Sequence, residues 1–350
     1  MPTATKEPSA LTRRATYHAF RSAGALLQLL PESVANGIAR GAGTILAEIP
    51  TASRSMYMRH LQRILGRDFT DREVRIWAKK AFAAYGRYWV EGARLPMLPK
   101  SLIEDRMIRP EGFSHLVDAM EAGRGVVLAL PHVGSWEWGG AWLAQQGYPM
   151  TAIAEELQPP ELYEWFVAQR AAMGLTILPL GGDSGGQLLR ILRDGGRVGL
   201  LCDRDIAGHG IDVEFFGEHT TLPGGPATLA LRTGATLITA AVYSGPGHDH
   251  SAVVNPPIPT ERIGSLRADV TRITQQVAKE LEELIRRAPE QWHCFQPNWP
   301  SDRPAHSDRH VSTTGSVQVA STTGSAEPAS SDDPQNPGAG ERAEPTGQGG

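Results

Sequence analysis

The residues best suited to chemistry lie in one stretch, Leu128-Ala-Leu-Pro-His132-Val-Gly-Ser-Trp-Glu137. The run Val126–Leu130 is apolar throughout, as a strand buried on both faces should be, and Pro131 forces a turn after it. His132 then emerges at the strand's C-terminal end, the edge of an open α/β sheet where ligands bind. Ser135 stands where a helix cap belongs, which puts Glu137 in the first turn of the next helix. On a continuous helix, five residues would turn the two side chains about 140° apart. A turn between them lets the imidazole fold back onto the carboxylate. That gives a general base whose second nitrogen is held by an acid. The competing structural reading is that Glu137 complements the helix dipole and His132 is a loop residue.

Other charged groups gather at neighbouring positions. Leu200-Leu-Cys-Asp203-Arg204-Asp205 puts three charges at the end of another apolar strand, on the same sheet edge as His132. Arg170, near the end of a helical stretch at 161–173, is a candidate cation for a phosphate or carbonyl oxygen. Val213-Glu214-Phe-Phe-Gly217 leads into Leu222-Pro-Gly-Gly-Pro226, whose glycines open a helix of small residues. A serine nucleophile is the main rival. Gly182-Asp183-Ser184-Gly185-Gly186 imitates the pentapeptide of chymotrypsin-like proteases, but it lies between a strand and a helix. Ser135 lacks the flanking glycines of a nucleophile elbow. The pentapeptide reads as a Gly-rich loop whose amides could meet a phosphate.

The elements that must carry these residues alternate. Strands are expected at 126–130, 150–154, 176–179, 198–202 and 236–243, with helices at 137–146, 161–173, 186–193, 227–233 and 265–288. Such alternation predicts an α/β fold, a mostly parallel sheet flanked by helices. Residues 1–110 read instead as an N-terminal helical, membrane-associating region. Ala19, Phe20, Ala23, Leu26, Leu27 and Leu30 recur at helical spacing, a second basic helix runs through Tyr57, Leu61 and Leu65, and Thr70 with Glu73 has the spacing of a capping box. This region and the core at 111–304 are expected to form one structural domain. From 305 to 350 the chain turns to Ser, Thr, Gly, Pro and acidic residues, which cannot offset their ordering entropy, so a disordered tail is expected.

The net charge of −4 over 350 residues conceals a division. Residues 1–110 hold 18 basic and 9 acidic side chains, whereas 111–300 hold 13 and 22. A basic first third suggests a face for a polyanion, either nucleic acid or an anionic lipid surface. The 2 cysteines form no zinc-like spacing and cannot build a disulfide framework, so no metal and a reducing compartment are expected. No stretch reaches the roughly 18 apolar residues of a spanning helix. Arg13-Arg14 is followed by His18 and Arg21 where a signal needs an apolar core, so export is not expected.

In their order these motifs resemble the bacterial lipid A biosynthesis (lauroyl/myristoyl) acyltransferase family, and within it the actinobacterial phosphatidylinositol mannoside acyltransferases. The resemblance spans about residues 15–300. It rests on Tyr85-Gly-Arg-Tyr88-Trp89, Arg94-Leu-Pro, Leu130-Pro-His132-Val-Gly-Ser-Trp-Glu137, Ala154-Glu155, Asp203-Arg-Asp205, Val213-Glu-Phe-Phe-Gly, Leu222-Pro-Gly-Gly-Pro-Ala and Thr233-Gly-Ala. It implies acyl transfer from acyl-CoA to a mannose hydroxyl of a phosphatidylinositol mannoside, with palmitoyl as the expected group and no further cofactor. His132 would be the base and Glu137 its charge-relay partner. Glu155, Arg170, Asp203, Arg204, Asp205 and Glu214 would surround the acceptor head group or the base. Backbone amides near Gly134, or a nearby cation, would meet the oxyanion. The enzyme would lie peripherally on the cytoplasmic face of the plasma membrane, on an anionic surface, with no nucleic-acid partner. Two alternatives differ in class: a serine hydrolase using Ser184 or Ser135, and a non-catalytic module that binds anionic membranes.

Overall fold

A computed structural model describes residues 10–108 and 110–303, with side chains from residue 13 onward; the tail expected at 305–350 lies outside them. The apolar run Val126–Leu130 forms β1, every residue of it buried. It lies inside a six-stranded sheet with β2 (Thr151–Ala154), β3 (Thr176–Pro179), β4 (Arg197–Leu201), β7 (Thr236–Ser244) and β8 (His250–Val254), ordered β3-β2-β4-β1-β7-β8. All neighbours are parallel except β8, which runs antiparallel to β7 at one edge. Parallel strands need crossovers, and helices α7 (Trp136–Gln145), α8 (Pro160–Ala172), α9 (Ser184–Arg193) and α10 (Gly225–Thr233) supply them. The strand pleat divides β1 between two cores. Val127 and Ala129 join the apolar side chains of α11 (Leu266–Arg287), while Val126, Leu128 and Leu130 face α7.

The expected strands and core helices all appear, with ends shifted by one or two residues. The sequence reading lacked β8 and a hairpin of β5 (Ile211–Phe215) and β6 (Glu218–Leu222). The hairpin turns through Phe216 (φ 51°) and Gly217 (φ 75°), the double left-handed backbone of a type I′ turn. A phenylalanine at the first position is an unusual turn signal, which is why the hairpin was not legible.

Four long helices precede the sheet: α1 (Ala10–Leu29), α2 (Glu32–Leu46), α3 (Ala52–Leu65) and α4 (Asp71–Arg94). Thr70 and Glu73 form the expected capping box at the start of α4. Helix α2 was not distinguished in the sequence. It packs on α4 at backbone distance: a Cβ on Gly43 would stand 2.6 Å from the Phe82 carbonyl oxygen, and one on Gly86 2.8 Å from that of Ala39. Helix α3 buries Tyr57 and Leu61 completely, and its Arg63 reaches acids elsewhere in the fold. Arg63 pairs with Glu218 (2.7 Å) and Asp302 (3.0 Å), and Arg67 with Glu73 (2.8 Å). Part of the basic face expected to meet an anionic surface is therefore spent on the protein's own acids.

After α11 the chain returns as a strap across the molecule. Tyr57 donates to the Pro289 carbonyl (2.9 Å), His60 is hydrogen-bonded to Asp302 (3.1 Å), and the Trp299 indole donates to the Phe215 carbonyl (3.1 Å). Two short helices, α5 (Lys100–Asp105) and α6 (Phe113–Glu121), link α4 to β1. No helix among the described residues is long and apolar enough to cross a membrane.

Candidate active site

Sheet register builds the centre of the site. Leu130 of β1 pairs with Leu201 of β4, and two residues beyond each stand His132 and Asp203. The chains leave the sheet side by side, so the two side chains meet. His132 Nδ1 donates to Asp203 Oδ1 at 2.5 Å. Asp203 is fully buried, and its Oδ2 accepts from the His132 amide (3.1 Å) and the Trp292 indole (2.6 Å). Burial opposes ionisation of Asp203, but the facing His132 and these donors outweigh it and hold the carboxyl at about 2. With Nδ1–H committed to a carboxylate, Nε2 of His132 is the imidazole's free lone pair. That is the tautomer a general base needs.

The acid that orients His132 is therefore Asp203, in place of the Glu137 expected from sequence, and no hydrogen bond joins His132 to Glu137. Residue Ser135 does stand at the N-cap of α7, though its side chain makes no capping bond, and Glu137 follows in the first turn. Its carboxylate points to other partners. Glu137 is 4% exposed, and its Oε1 accepts from the Tyr88 hydroxyl (3.0 Å) and Arg170 Nη2 (2.9 Å). Arg170 extends from α8 and lies over the rings of Trp136 and Phe166, 5.5 and 5.4 Å from their centroids. Burial, with the neighbouring Glu137, pushes the Tyr88 phenol well above its ordinary range. Glu137 Oε2 and Arg170 Nε are buried without a hydrogen-bond partner among the described residues. A polar cluster with spare hydrogen-bonding capacity thus stands beside the His132 turn.

The turn itself is held by residues that sequence reasoning passed over. The strap runs antiparallel to it: the Gly134 amide donates to the Gln291 carbonyl (3.0 Å), and the His293 amide to the His132 carbonyl (2.8 Å). His293 Nε2 faces the Gly134 carbonyl at 3.1 Å, an acceptor, so that nitrogen carries the proton. Burial and the adjacent His132 push His293 down to about 4, against the pull of the Gly134 bond, and it is neutral near pH 7. Gly134 is obligatory: its φ is +57°, and a Cβ there would lie 2.1 Å from the Val242 carbonyl oxygen.

The same bonds narrow the expected oxyanion site. The amides of His132, Val133, Gly134 and Ser135 donate to Asp203, Pro131, Gln291 and Val242 respectively. None of these four is available to a ligand, which leaves the first-turn amides of α7, at Trp136 and Glu137, as the backbone donors nearest Gly134.

An apolar slot of about 50 Å³ opens between α7 and the sheet, its near wall formed by Pro131 and Trp136 on either side of the His132 turn. Small residues create it, with Ala240 and Ala252 on the strands and Gly139 and Gly140 on α7. Val242 and Leu175 press against those glycines closely enough that a Cβ would stand 2.5 and 2.7 Å from them. A buried acid, the imidazole it holds and a wholly apolar slot thus lie together at one edge of the sheet.

Residues 4–301 match the family described as bacterial lipid A biosynthesis acyltransferase. The chain belongs to that family. It is similar to the phosphatidylinositol mannoside acyltransferase of Mycolicibacterium smegmatis (strain ATCC 700084 / mc(2)155), 36% identical over 79% of this chain and 89% of the relative. A second relative of that name, from Mycobacterium tuberculosis (strain ATCC 25618 / H37Rv), is 35% identical over 85% and 93%. This is an enzyme that transfers acyl groups in glycolipid biosynthesis.

Not every expected site residue of the acyltransferase converges on His132. Arg204, next to Asp203, donates to the Gln296 side chain (3.1 Å) and keeps a buried Nε without a partner. Asp205 spends its oxygens on the Gly208 amide (2.9 Å), the Gly210 amide (2.7 Å) and the Thr221 hydroxyl (2.9 Å), so it staples a loop to β6 and leaves little for a substrate. Glu155 is half-buried just past β2, and none of the hydrogen bonds among the described residues involves its side chain. Glu214 lies exposed on β5, whose backbone is braced by Gln275 of α11 (2.8 Å), and no hydrogen bond links it to the dyad. Neither serine candidate is hydrogen-bonded to a histidine among the described residues. Ser184 begins α9, and Asp183 beside it pairs with Arg190 (3.3 Å).

Proposed function

We propose that this enzyme transfers a fatty acyl group, palmitoyl above others, from acyl-CoA to a mannose hydroxyl of a phosphatidylinositol mannoside. The observation that carries the reading is the His132–Asp203 pair beside the apolar slot. The slot's 50 Å³ takes only a few carbons of the acyl chain, each buried CH₂ contributing about 0.8 kcal/mol. The thioester sits at the mouth, by Pro131 and Trp136. His132 Nε2 takes the proton of the mannose hydroxyl as its oxygen attacks the thioester carbon, and Asp203 stabilises the imidazolium formed. The tetrahedral intermediate collapses, the carbon–sulfur bond breaks, and the CoA sulfur takes the proton back from His132. Ester and free CoA leave, and no acyl-enzyme is formed.

Arg170, stacked on Trp136 and anchored by Glu137, suits the oxyanion, since the amides of residues 132–135 are already engaged. Glu137 then works through Arg170 and Tyr88. Arg204, with its unpartnered Nε, suits a phosphate of the acceptor, and Glu155 its sugar. No cofactor beyond the cosubstrate is required. Acyl-CoA is a cytoplasmic thioester and the acceptor a membrane lipid, so the working location is the cytoplasmic face of the plasma membrane, on an anionic surface.

The test is incubation with labelled palmitoyl-CoA and a panel of lipid acceptors. Wild type should acylate the mannosides, His132→Ala should not, and a fluorophosphonate probe should leave the protein unlabelled. Covalent labelling of Ser135 or Ser184, or full transfer by His132→Ala, would overturn the mechanism.

A further inference from the structure

His60 of α3 is fully buried, and both of its ring nitrogens face acceptors. Nδ1 stands 3.1 Å from the Cys294 carbonyl oxygen, which can only accept, and Nε2 stands 3.1 Å from Asp302 Oδ2. A neutral imidazole has one N–H and one bare lone pair. It would satisfy one of these oxygens and turn the lone pair on the other. Asp302 supplies no proton of its own. Burial opposes ionisation of its carboxyl, but His60 and the amides of Asn298 and Trp299 hold it far below the ordinary carboxylate range. Only a doubly protonated ring donates to both oxygens.

The surrounding charges suit a cation. Arg63 of α3 pairs with Asp302 (3.0 Å) and with Glu218 of β6 (2.7 Å), while Arg59 reaches Asp302 Oδ1 at 3.8 Å from a half-exposed position. Two carboxylates therefore meet Arg63 and His60 in the clasp. A charged His60 balances them one for one, with Arg59 at the rim. A neutral His60 would set a buried carboxylate against a lone pair, an uncompensated contact in a dry interior.

The same ring reaches towards the active site. It lies against Trp292, 5.4 Å between centroids, and the Trp292 indole donates to Asp203 (2.6 Å). Its two bonds hold the strap at Cys294 and at Asp302. Between Trp292 and Cys294 stands His293, whose amide donates to the His132 carbonyl (2.8 Å). The stretch that braces the His132 turn is thus gripped from α3 by one imidazole.

We propose that His60 is a buried imidazolium and a positioning residue: its charge pins the strap so that Trp292 meets Asp203 and His132 keeps its tautomer. The inference rests on the reading of His132 and Asp203 as the base and its orienting acid. His60 acts through Trp292 rather than on the substrate.

Nitrogen NMR of the isotope-labelled full chain reads the charge directly. At neutral pH both ring nitrogens of His60 should show the resonances of N–H groups. Asp302→Asn brings an amide donor of its own and should return His60 to one protonated and one bare nitrogen. His60→Gln can still donate to Asp302 but carries no charge. It should move the downfield His132 Nδ1 proton, which faces Asp203, towards higher field, and slow palmitoyl transfer about tenfold, the loss of one donor to that acid. In a Trp292→Phe background the same substitution should cost little more, because both act on one bond. A bare nitrogen on His60 in wild type overturns the proposal, whether or not any variant folds. So does an equal fold-loss from His60→Gln in the two backgrounds. Both resonance signatures in a protein that transfers no acyl group would support this inference while sinking the catalytic reading.

Discussion

Asp203 at the end of β4 and Glu137 in the first turn of α7 are both buried acids beside the His132 turn, and they serve different neighbours. Asp203 receives three donors, two of them from His132, and each of its oxygens is engaged. Glu137 receives two donors on one oxygen and none on the other. The first is locked around the base. The second anchors an arginine and a tyrosine and keeps capacity in reserve. Proximity in sequence therefore misleads: the acid five residues from the histidine holds something else, and the acid on the adjacent strand holds the histidine.

The largest effect expected from this contrast is on Asp203. Asp203→Asn keeps the shape but loses the charge and the enforced tautomer, and should lower kcat about 10³–10⁴-fold in the palmitoyl-CoA assay. Glu137→Gln should behave differently. It leaves Arg170 without a counter-charge, which for a buried pair costs about 3 kcal/mol of folding stability, readable by denaturant unfolding. Its transfer rate should fall far less than that of Asp203→Asn; equal losses in the two variants would erase the distinction between the acids.

Trp292→Phe gives a finer test. It removes one donor to the Asp203 carboxylate, a charge-assisted bond whose loss costs about 1.5 kcal/mol and should slow transfer about tenfold. A rate unchanged from wild type would mean that the strap is not part of the relay. The smallest effect concerns His293. Its folded pKa, about 4, lies below the ordinary histidine value of 6.5, so the unfolded chain binds more protons between those values. Stability should therefore fall as pH drops from about 6.5 towards 4. His293→Gln should flatten that decline in melting temperature.

The sheet was legible because its signals are local. Val126–Leu130 is unbroken apolar sequence, and Pro131 marks where the strand must stop. The His132–Asp203 pair was half legible: both residues stood out at strand ends, but their meeting depends on β1 and β4 being adjacent and in register, which no local pattern encodes. Trp292 and His293 escaped notice because they belong to no regular element, and only the returning strap gives them a role. Helix α2 was hidden for another reason. Its glycines at 37, 41 and 43 lower helix propensity, and its large residues mark an outward face where the usual pattern places an inward one.

The strap also orders events during synthesis. Trp292 completes the donors around Asp203, while Asp302 is clasped by His60 of α3, some 240 residues earlier in the chain. A ribosome emits these partners at opposite ends of its work. The nascent enzyme can assemble its sheet while still tethered, yet its relay stays unfinished until the last stretch of the fold emerges.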